Sequence, residues 1–318
     1  MKSFSLFLMT IALSLATMAQ TARVQVIHNS PDDAATAVDV YLNGTILVPN
    51  FEFRTATPFI DAPAGVEIQV DIAPAGSADV SESIANFPLT LTEGETYVVV
   101  ADGITGLSST EYNPAPAFGL EIYATGREAA ATAGNTDVLV HHGSTDAPTV
   151  DVVEVGVGAG IIVDNAAYPG FAGYLELATN DYTLAVQDEE NTVTVATYEA
   201  PLATLGLTDA AITVVASGFL DPSNNGDGPA FGLYAALATG GPLVALPAPE
   251  PAVARVQIIH NSPDDAATAV DVYLDGAILV PGFEFRTATP FIDAPAGVEI
   301  QVDIAPAGSA DVSESIAN

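Results

Sequence analysis

Residues 23–44 read RVQVIHNSPDDAATAVDVYLNG, and residues 255–276 repeat this stretch as RVQIIHNSPDDAATAVDVYLDG. The two copies align without a gap over Arg23–Asn86 and Arg255–Asn318, and four positions differ: Val26/Ile258, Asn43/Asp275, Thr45/Ala277 and Asn50/Gly282. A divergent third copy, VLVHHGSTDAPTVDVV, begins at Val138 between them. The repeat period is roughly a hundred residues, which is the size of one small domain.

The repeats divide the chain into modules. We predict the following order: a signal peptide at 1–19, module 1 at 22–126, module 2 at 136–239, a Pro-rich linker at 240–252 and module 3 at 253–318. Module 1 continues after Asn86 with FPLTLTEGETYVVVADG and FGLEIYATG, which read as strands, whereas the sequence of module 3 stops at Asn318. We therefore expect a C-terminally incomplete third module in a fragment of a longer protein.

The hydrophobic pattern inside each module is that of β-strands. VEIQVDI, at residues 66–72, alternates apolar and polar residues, as a half-buried strand does. Asn43-Gly44 separates two apolar runs, and this dipeptide is a strong hairpin signal because both residues tolerate a positive φ. About seven or eight such strands per module, without a helical period, predict an all-β protein of tandem immunoglobulin-like antiparallel β-sandwich modules, the last one truncated.

The charge of the chain is strongly unbalanced. Lys and Arg together number 6 against 40 Asp and Glu, which gives a net charge of -34 at pH 7. Such a surface repels phosphate backbones and anionic lipid headgroups, so we expect neither nucleic acid nor a membrane surface as a partner. The acidity fits both a salt-rich habitat and calcium binding, and these alternatives stay open at the level of sequence.

The first 19 residues have the parts of a secretory signal peptide. Lys2 supplies the positive charge, Phe4–Ala16 the apolar run, and residues 17–19 a small-x-small cleavage site. The alternative, a membrane anchor, needs a span of about 20 apolar residues, which is longer than this run. We therefore predict a secreted or cell-surface protein. Because the chain has no Cys, its folds are held without disulfides.

A His, a Ser and an Asp recur together at the end of the first strand of each module. The three sets are His28, Ser30 and Asp32; His142, Ser144 and Asp146; and His260, Ser262 and Asp264. In a catalytic triad the His takes the proton of the Ser and the acid orients the His, but residues this close in a strand and turn rarely converge in that way. We predict a structural turn, in which Ser and Asp bind backbone N–H groups and the His points to the edge of the core. A pairing of His28 with Asp32 or Asp39 stays open.

The segment DPSNNGDG, residues 221–228, places oxygen-bearing side chains at alternate positions. The calcium candidates are Asp221, Ser223, Asn225 and Asp227. An EF-hand loop has a Glu at its twelfth position, and that position is Gly232 here. We therefore predict a polar connection between strands, with no catalytic residue, no organic cofactor and no metal beyond these calcium candidates.

The stretches VIHNSPDDAATAVDVYLNGTILV, from Val26, and FRTATPFIDAPAG, from Phe53, resemble the family known as domain of unknown function 4397, here in an exported bacterial protein. Modules of that family open with a strand that ends in His-x-Ser-Pro-Asp and continue with Val-Asp-Val-Tyr and a turn Gly. The resemblance is specific in modules 1 and 3 and weaker in module 2, where Val153 replaces the Tyr and Thr145 the Pro. It implies exported, often tandem, surface-associated β-sandwich domains of no agreed activity, and it supplies no catalytic residues.

These observations predict an exported, non-enzymatic repeat protein of the cell surface or extracellular space, which acts as a spacer, an adhesion module or an interaction module. The alternative is an exported glycan-binding protein or hydrolase that uses the His-Ser-Asp strand edge. The expected partner is a surface protein or a glycan of unknown identity, and the modules are expected to be monomeric.

Overall fold

The computed structural model describes residues 20–250 and 252–317, and these residues form β-strands joined by turns and short 3-10 helices. The predicted signal peptide, residues 1–19, lies outside the described residues. The chain divides into two compact units, the first ending at Ala248 and the second beginning at Pro249. The predicted all-β sandwich class is confirmed, because the strands form separate sheets that enclose apolar cores.

Module 1 is a sandwich of two sheets. Its strands are β1 (Thr21–His28), β2 (Ala37–Leu42), β3 (Thr45–Glu52), β4 (Thr55–Ala56), β5 (Ile60–Pro63), β6 (Glu67–Pro74), β7 (Ala85–Thr90), β8 (Thr96–Asp102) and β9 (Gly119–Ala124). One sheet has the order β4-β1-β8-β9, with β5 also paired to β1, and the other has the order β3-β2-β6-β7. Alternation along the strands delivers apolar side chains to the space between the sheets, where half-buried Val26 contacts two apolar clusters.

Module 2 repeats this architecture. Its strands are β10 (Asn135–His142), β11 (Val150–Glu154), β12 (Gly160–Ala166), β13 (Gly170–Ala178), β14 (Asp181–Asp188), β15 (Thr194–Pro201), β16 (Ala211–Ser217) and β17 (Gly232–Leu237), followed by β18 (Gly241–Pro242) and β19 (Val244–Ala245). The sheets have the orders β13-β10-β16-β17-β19 and β12-β11-β14-β15. The apolar cluster between them is built from residues of 138–246 only, so module 2 has a core of its own.

Module 3 makes smaller sheets in the part that the structure describes, 252–317. Its strands are β20 (Val253–Val256), β21 (Ala269–Leu274), β22 (Ala277–Glu284), β23 (Ile292–Pro295) and β24 (Val302–Pro306). They pair as β20-β23 and β22-β21-β24, around a core of Val270, Val272 and Phe283. Short 3-10 helices lie at Asp33–Ala35, Val80–Glu82, Pro222–Asn224, Asp265–Ala267 and Val312–Glu314. None of the helices described in 20–250 and 252–317 is long or apolar enough to span a lipid bilayer.

One strand pair in each of the first two modules is parallel. β1 pairs with β8 in parallel, with Val24 opposite Tyr97, and β10 pairs with β16 in parallel, with Val138 opposite Ile212. The sequence pattern predicts antiparallel sheets because neighbouring strands joined by short turns must run in opposite directions. β1 and β8 are not joined by a hairpin, so only the assembled sandwich sets their direction.

The segment predicted as a linker, residues 240–252, belongs in part to the sheets of the first unit. β18 pairs with β4 of module 1, with Gly241 opposite Ala56, and β19 pairs with β17 of module 2. Leu243 and Leu246 are buried. These apolar residues hold a Pro-rich stretch against the two sandwiches, so residues 241–246 are part of the fold and do not form a solvated spacer.

Candidate functional site

The histidine of the first turn bonds to the backbone. His28 is buried at the end of β1, and its Nε2 lies 2.7 Å from the carbonyl oxygen of Ala35. Because a carbonyl only accepts, Nε2 carries the proton and donates it to Ala35. Burial lowers the pKa of His28 to about 4, and the Ala35 carbonyl only partly opposes this effect. The ring is therefore neutral at pH 7, and it packs against Phe51 and Phe53 with centroid distances of 5.8 and 6.3 Å.

The Ser and Asp of the first turn are also engaged separately. The Ser30 hydroxyl donates to the carbonyl oxygen of Gly103 at 2.6 Å. Asp32 Oδ1 accepts the backbone N–H of Ala34 at 3.0 Å and starts a 3-10 helix, while its Oδ2 accepts the backbone N–H of Thr105 at 2.7 Å. His28 bonds to neither Asp32 nor Asp39, so the residues of this turn hold the backbone around the strand end and do not form a proton relay.

The second turn follows the same plan. His142 Nε2 lies 3.1 Å from the carbonyl oxygen of Pro148, and the Ser144 hydroxyl donates to the carbonyl oxygen of Gly218 at 2.7 Å. Burial lowers the pKa of His142 from its ordinary value, and the Pro148 carbonyl opposes this in part. Asp146 lies 3.3 Å from the Ser144 hydroxyl, but no imidazole nitrogen contacts that serine.

The third turn keeps two of these contacts. His260 Nε2 lies 2.7 Å from the carbonyl oxygen of Ala267, and Asp264 Oδ1 accepts the backbone N–H of Ala266 at 2.9 Å. The backbone N–H of Ser262, rather than its hydroxyl, points to His260 Nδ1 at 3.4 Å. In all three modules the Asp caps or ties a turn, which is the usual role of a short acid at such a position.

The calcium candidates form a hydrogen-bonded turn. Asp221 Oδ1 accepts the Ser223 hydroxyl at 2.6 Å and Asp221 Oδ2 accepts the Asn224 amide at 2.6 Å. The amide of buried Asn225 donates to Asp146 Oδ2 at 3.1 Å. The backbone of Asp227 has a positive φ of 53°. Within 20–250 and 252–317, no group of three or more His, Asp or Glu side chains is placed to hold a metal ion.

The largest feature that sequence reasoning missed is the face between modules 1 and 2. Side chains from both modules form one apolar cluster: Ile27, Ala56, Phe59, Val98 and Val100 from module 1, and Leu139, Val215, Ala236 and Leu243 from module 2. Ile27 and Leu139 are completely buried in it. A cluster shared in this way makes one body of two sandwiches that the repeat pattern presents as separate.

Arg54 of module 1 inserts into module 2. Its Nη1 donates to the Tyr234 hydroxyl at 2.6 Å, its Nε to the Ser217 hydroxyl at 3.0 Å and its Nη2 to the carbonyl oxygen of Ala230 at 2.8 Å. The guanidinium also lies 3.9 Å from the centroid of the Tyr234 ring, close enough for a cation–π contact. We call the Tyr234 ring and hydroxyl, Ser217 and the Ala230 carbonyl the socket.

A second polar contact crosses the same face. His141 Nε2 lies 2.5 Å from Asp102 Oδ2, and the Asn29 amide donates to Asp102 Oδ1 at 2.7 Å. Asn29 and His141 have no exposed surface, and Asp102 is 2% exposed. His141 also packs on Phe171 at a centroid distance of 4.4 Å. The available signal was strand alternation: neighbouring His141 and His142 point to opposite faces of β10, so one of them has to leave the core of its own module.

The fold defines an all-β protein in which the sandwiches of modules 1 and 2 pack on one another. Residues 22–153 match the family model described as "Domain of unknown function (DUF4397)". This part of the chain therefore contains a DUF4397-like domain. No curated protein matches the chain.

Two solved structures of low similarity come from streptococcal proteins. One is described as "Alpha-glucan binding by a streptococcal virulence factor", with 8% identity over 61% of this chain and 92% of the other, and a TM-score of 0.21. The other concerns "Alpha-glucan recognition by family 41 carbohydrate-binding modules from streptococcal virulence factors", with 11% identity over 61% of this chain and 93% of the other, and a TM-score of 0.20. At such scores the likeness supports no argument about this chain.

Proposed function

We propose that the protein is an exported, non-enzymatic repeat protein of the cell surface or extracellular space, in which packed modules act as a rigid spacer and as interaction units. The observation that carries this proposal is the buried face between modules 1 and 2. It combines an apolar cluster, the Arg54 socket and the Asp102–His141 contact. Modules that move independently on a flexible linker need none of these contacts. A spacer of fixed length needs them, because they hold one module against the next.

The hydrogen bonds of the turns support the non-enzymatic part of the proposal. A nucleophilic serine needs a base within hydrogen-bond reach, but the Ser30 and Ser144 hydroxyls donate to backbone carbonyls. Both serines have no exposed surface. In modules 1 and 2 the His, Ser and Asp side chains thus form hydrogen bonds that stabilise the turn after the first strand.

The test of rigidity uses the absence of Cys in the chain. Leu47→Cys and Ile161→Cys place one spin label on an exposed strand position of each module. A rigid spacer gives a single narrow distance distribution by pulsed electron paramagnetic resonance. A broad distribution in the otherwise unchanged chain would contradict the proposal. The same labels with Arg54→Glu added serve as the comparison, because loss of the socket contact is expected to broaden the distribution.

A glycan-binding role is the second candidate, and one observation favours it. A cleft of about 260 Å³ between modules 1 and 2 is lined by Phe53, Tyr112 and the exposed Asp33, among others. Aromatic rings with a few polar groups are typical of a ligand site. Tyr112 stacks on Phe219 with a centroid distance of 5.5 Å, and its hydroxyl accepts the backbone N–H of Asp33 at 2.9 Å. These contacts fix the position of the tyrosine ring in the cleft.

A glycan array with the intact chain tests this second role. The Asp33→Ala variant removes a cleft carboxylate, and Glu67→Ala, an exposed change on β6, is the matched control. Glycan binding that Asp33→Ala abolishes and Glu67→Ala preserves would establish the cleft as a site. Hydrolysis of ester or glycoside substrates that is lost in Ser30→Ala or Ser144→Ala would instead restore the enzyme alternative.

A further inference from the structure

Module 3 repeats the residues with which module 1 meets module 2. We call the following side chains of module 1 the docking face: Gln25, Ile27, Asn29, Arg54 and Phe59. Their counterparts in module 3 are Gln257, Ile259, Asn261, Arg286 and Phe291. The four positions that differ between the two copies lie elsewhere, at the core residue Val26, in the hairpin at Asn43 and Thr45, and at Asn50 in β3. These five side chains are therefore the same in both modules, while Val98, Val100 and Asp102 of β8 complete the face of module 1 towards module 2.

The same side chains have opposite surroundings in the two modules. Ile27 has no exposed surface, whereas Ile259 is 66% exposed; Phe59 is 8% exposed, whereas Phe291 is 57% exposed. Ile27 contacts module 2 because it points outward from β1, away from the core of its own sandwich. Part of the cover over Ile27 comes from its own module, because β8 pairs with β1 and places Val100 opposite Ile27, and no strand of the described residues 252–317 takes this place beside β20.

The docking face of module 3 already has its bound geometry. Arg286 has a φ of 63° and its guanidinium lies 4.9 Å from the Phe285 ring centroid; the values for Arg54 are 59° and 4.8 Å from Phe53. Positive φ is uncommon for a residue with a side chain, so the shared value is a specific feature of this turn. Little ordering is needed before such an arginine can enter a socket.

The glutamine of the docking face, Gln257 in module 3, is held in the same way as its counterpart Gln25 in module 1. The Gln25 amide donates to the Thr57 carbonyl of its own module at 3.0 Å and to the Leu237 carbonyl of module 2 at 2.8 Å. Gln257 keeps the first contact, to the Thr289 carbonyl at 2.8 Å, and is exposed. Its side chain is thus held where module 1 uses it to reach a partner.

We propose that the docking face of module 3 binds a β-sandwich module of the module 2 kind. The partner has to present a sheet with an aromatic hydroxyl, a serine and a free carbonyl arranged as in the socket, within an apolar surface. Arg286 enters this socket as Arg54 does, and Ile259 and Phe291 cover the apolar surface beside it. This inference shares with the proposed function only the view that modules pack on one another, and its failure would leave the rigid pair of modules 1 and 2 untouched.

The direct test is a titration of the full chain with residues 136–248, which contain all of module 2 and its own core. We expect a complex with the unchanged chain and a loss of affinity of about tenfold or more in Arg286→Ala and in Phe291→Ala, as for central interface residues. Ile278→Ala is the matched control, because Ile278 is also exposed but lies on β22 of the other sheet. On the probe, Tyr234→Glu has to weaken binding, since it destroys the socket. No complex, or equal binding by Arg286→Ala, would overturn the proposal.

A chimeric chain decides the matter if the separate probe does not fold. In it, residues 255–318 replace residues 23–86 in front of residue 87, so that the docking face of module 3 meets module 2 directly. We expect the melting temperature of the parent chain, and a decrease on Arg286→Ala equal to that of Arg54→Ala in the parent. Separate melting of the two modules, or an unchanged melting temperature in Arg286→Ala, would overturn the proposal.

Discussion

At the scale of the residue, the buried Asp of the Val-Asp-Val stretch has the clearest structural role. Asp39 Oδ1 accepts the backbone N–H of Asn50 at 2.8 Å, and its Oδ2 accepts the backbone N–H and the hydroxyl of Ser77 at 2.9 and 2.8 Å. Asn50 has a positive φ of 49° and lies where β3 shifts register against β2. Asp151 and Asp271 bind the matching backbone N–H groups in modules 2 and 3, each at 2.6 Å. A buried carboxylate thus fastens a β-bulge and a loop in every module.

Asp39→Ala is expected to destabilise the first unit by about 3 kcal/mol, because it leaves buried N–H groups without an acceptor. Urea unfolding followed by circular dichroism measures this loss. Glu67→Ala, an exposed change on the neighbouring strand β6, is the control and is expected to stay within about 0.5 kcal/mol of the unchanged chain. Equal effects of the two substitutions would contradict the role given to Asp39.

The same carboxylate predicts a dependence on pH. Burial by itself raises the pKa of Asp39, but the donors of Asn50 and Ser77 outweigh burial and hold the pKa below its ordinary value of 3.8. The unfolded chain therefore binds this proton at a higher pH than the folded one, and the contribution is complete above about pH 4 and lost as the pH falls through the folded pKa. Between these limits, the stability of Asp39→Asn has to fall less steeply than that of the unchanged chain. An equal loss of stability with decreasing pH in the two chains, measured by urea unfolding, would contradict this.

At the scale of the element, β1 shows how a polar residue of an alternating strand can be buried. Val24, Val26 and His28 point to the core of module 1, as their alternation predicts, while Gln25, Ile27 and Asn29 point to module 2. Gln25 is 2% exposed although the strand pattern assigns its side to solvent. The strand is buried on both faces because a second sandwich covers the side that a lone module would expose to water.

The ends of β8 and β10 are joined by the Asp102–His141 contact, and this pair is expected to be strongly coupled. Asp102→Ala leaves the buried His141 without its acceptor, which costs about 3 kcal/mol, whereas the Asn29 amide keeps the carbonyl oxygens of Gly143 and Ala216. Replacing both members, as in Asp102→Leu with His141→Leu, removes the unsatisfied groups and has to cost less than the sum of the two single leucine variants. Urea unfolding of the four chains in this cycle measures the coupling, and strictly additive losses would contradict it.

At the scale of the whole molecule, the acidic surface opposes compactness. The chain has 40 acidic residues against 6 Lys and Arg, and the described ion pairs use few of the acids, for example Asp137 and Glu176 beside Arg127. Like charges repel one another over the folded surface. Salt shortens the screening length from about 10 Å at 0.1 M to about 3 Å at 1 M, which weakens this repulsion.

We therefore expect the melting temperature of the chain to rise with added NaCl. A comparison of NaCl and CaCl2 at equal ionic strength separates the two explanations of the acidity. Screening gives similar gains in both salts, whereas calcium sites give a larger gain in CaCl2 that a chelator reverses. A melting temperature that responds to neither salt would contradict both explanations.

The sequence by itself determined what depends on neighbours along the chain. The Asn43-Gly44 hairpin, the alternating strands and the capping role of Asp32 all follow from residues a few positions apart, whose backbone preferences act locally. Only the tertiary structure decided the parallel pairing of β1 with β8, the burial of Leu243 and Leu246 and the contacts of Arg54 and His141. Arg54 and Tyr234 are 180 positions apart, and no local preference can indicate which surfaces two folded modules will press together. Which surfaces pack depends on their complementary shape and on the cost of leaving buried polar groups unpaired. Both properties exist only once the two sandwiches have formed.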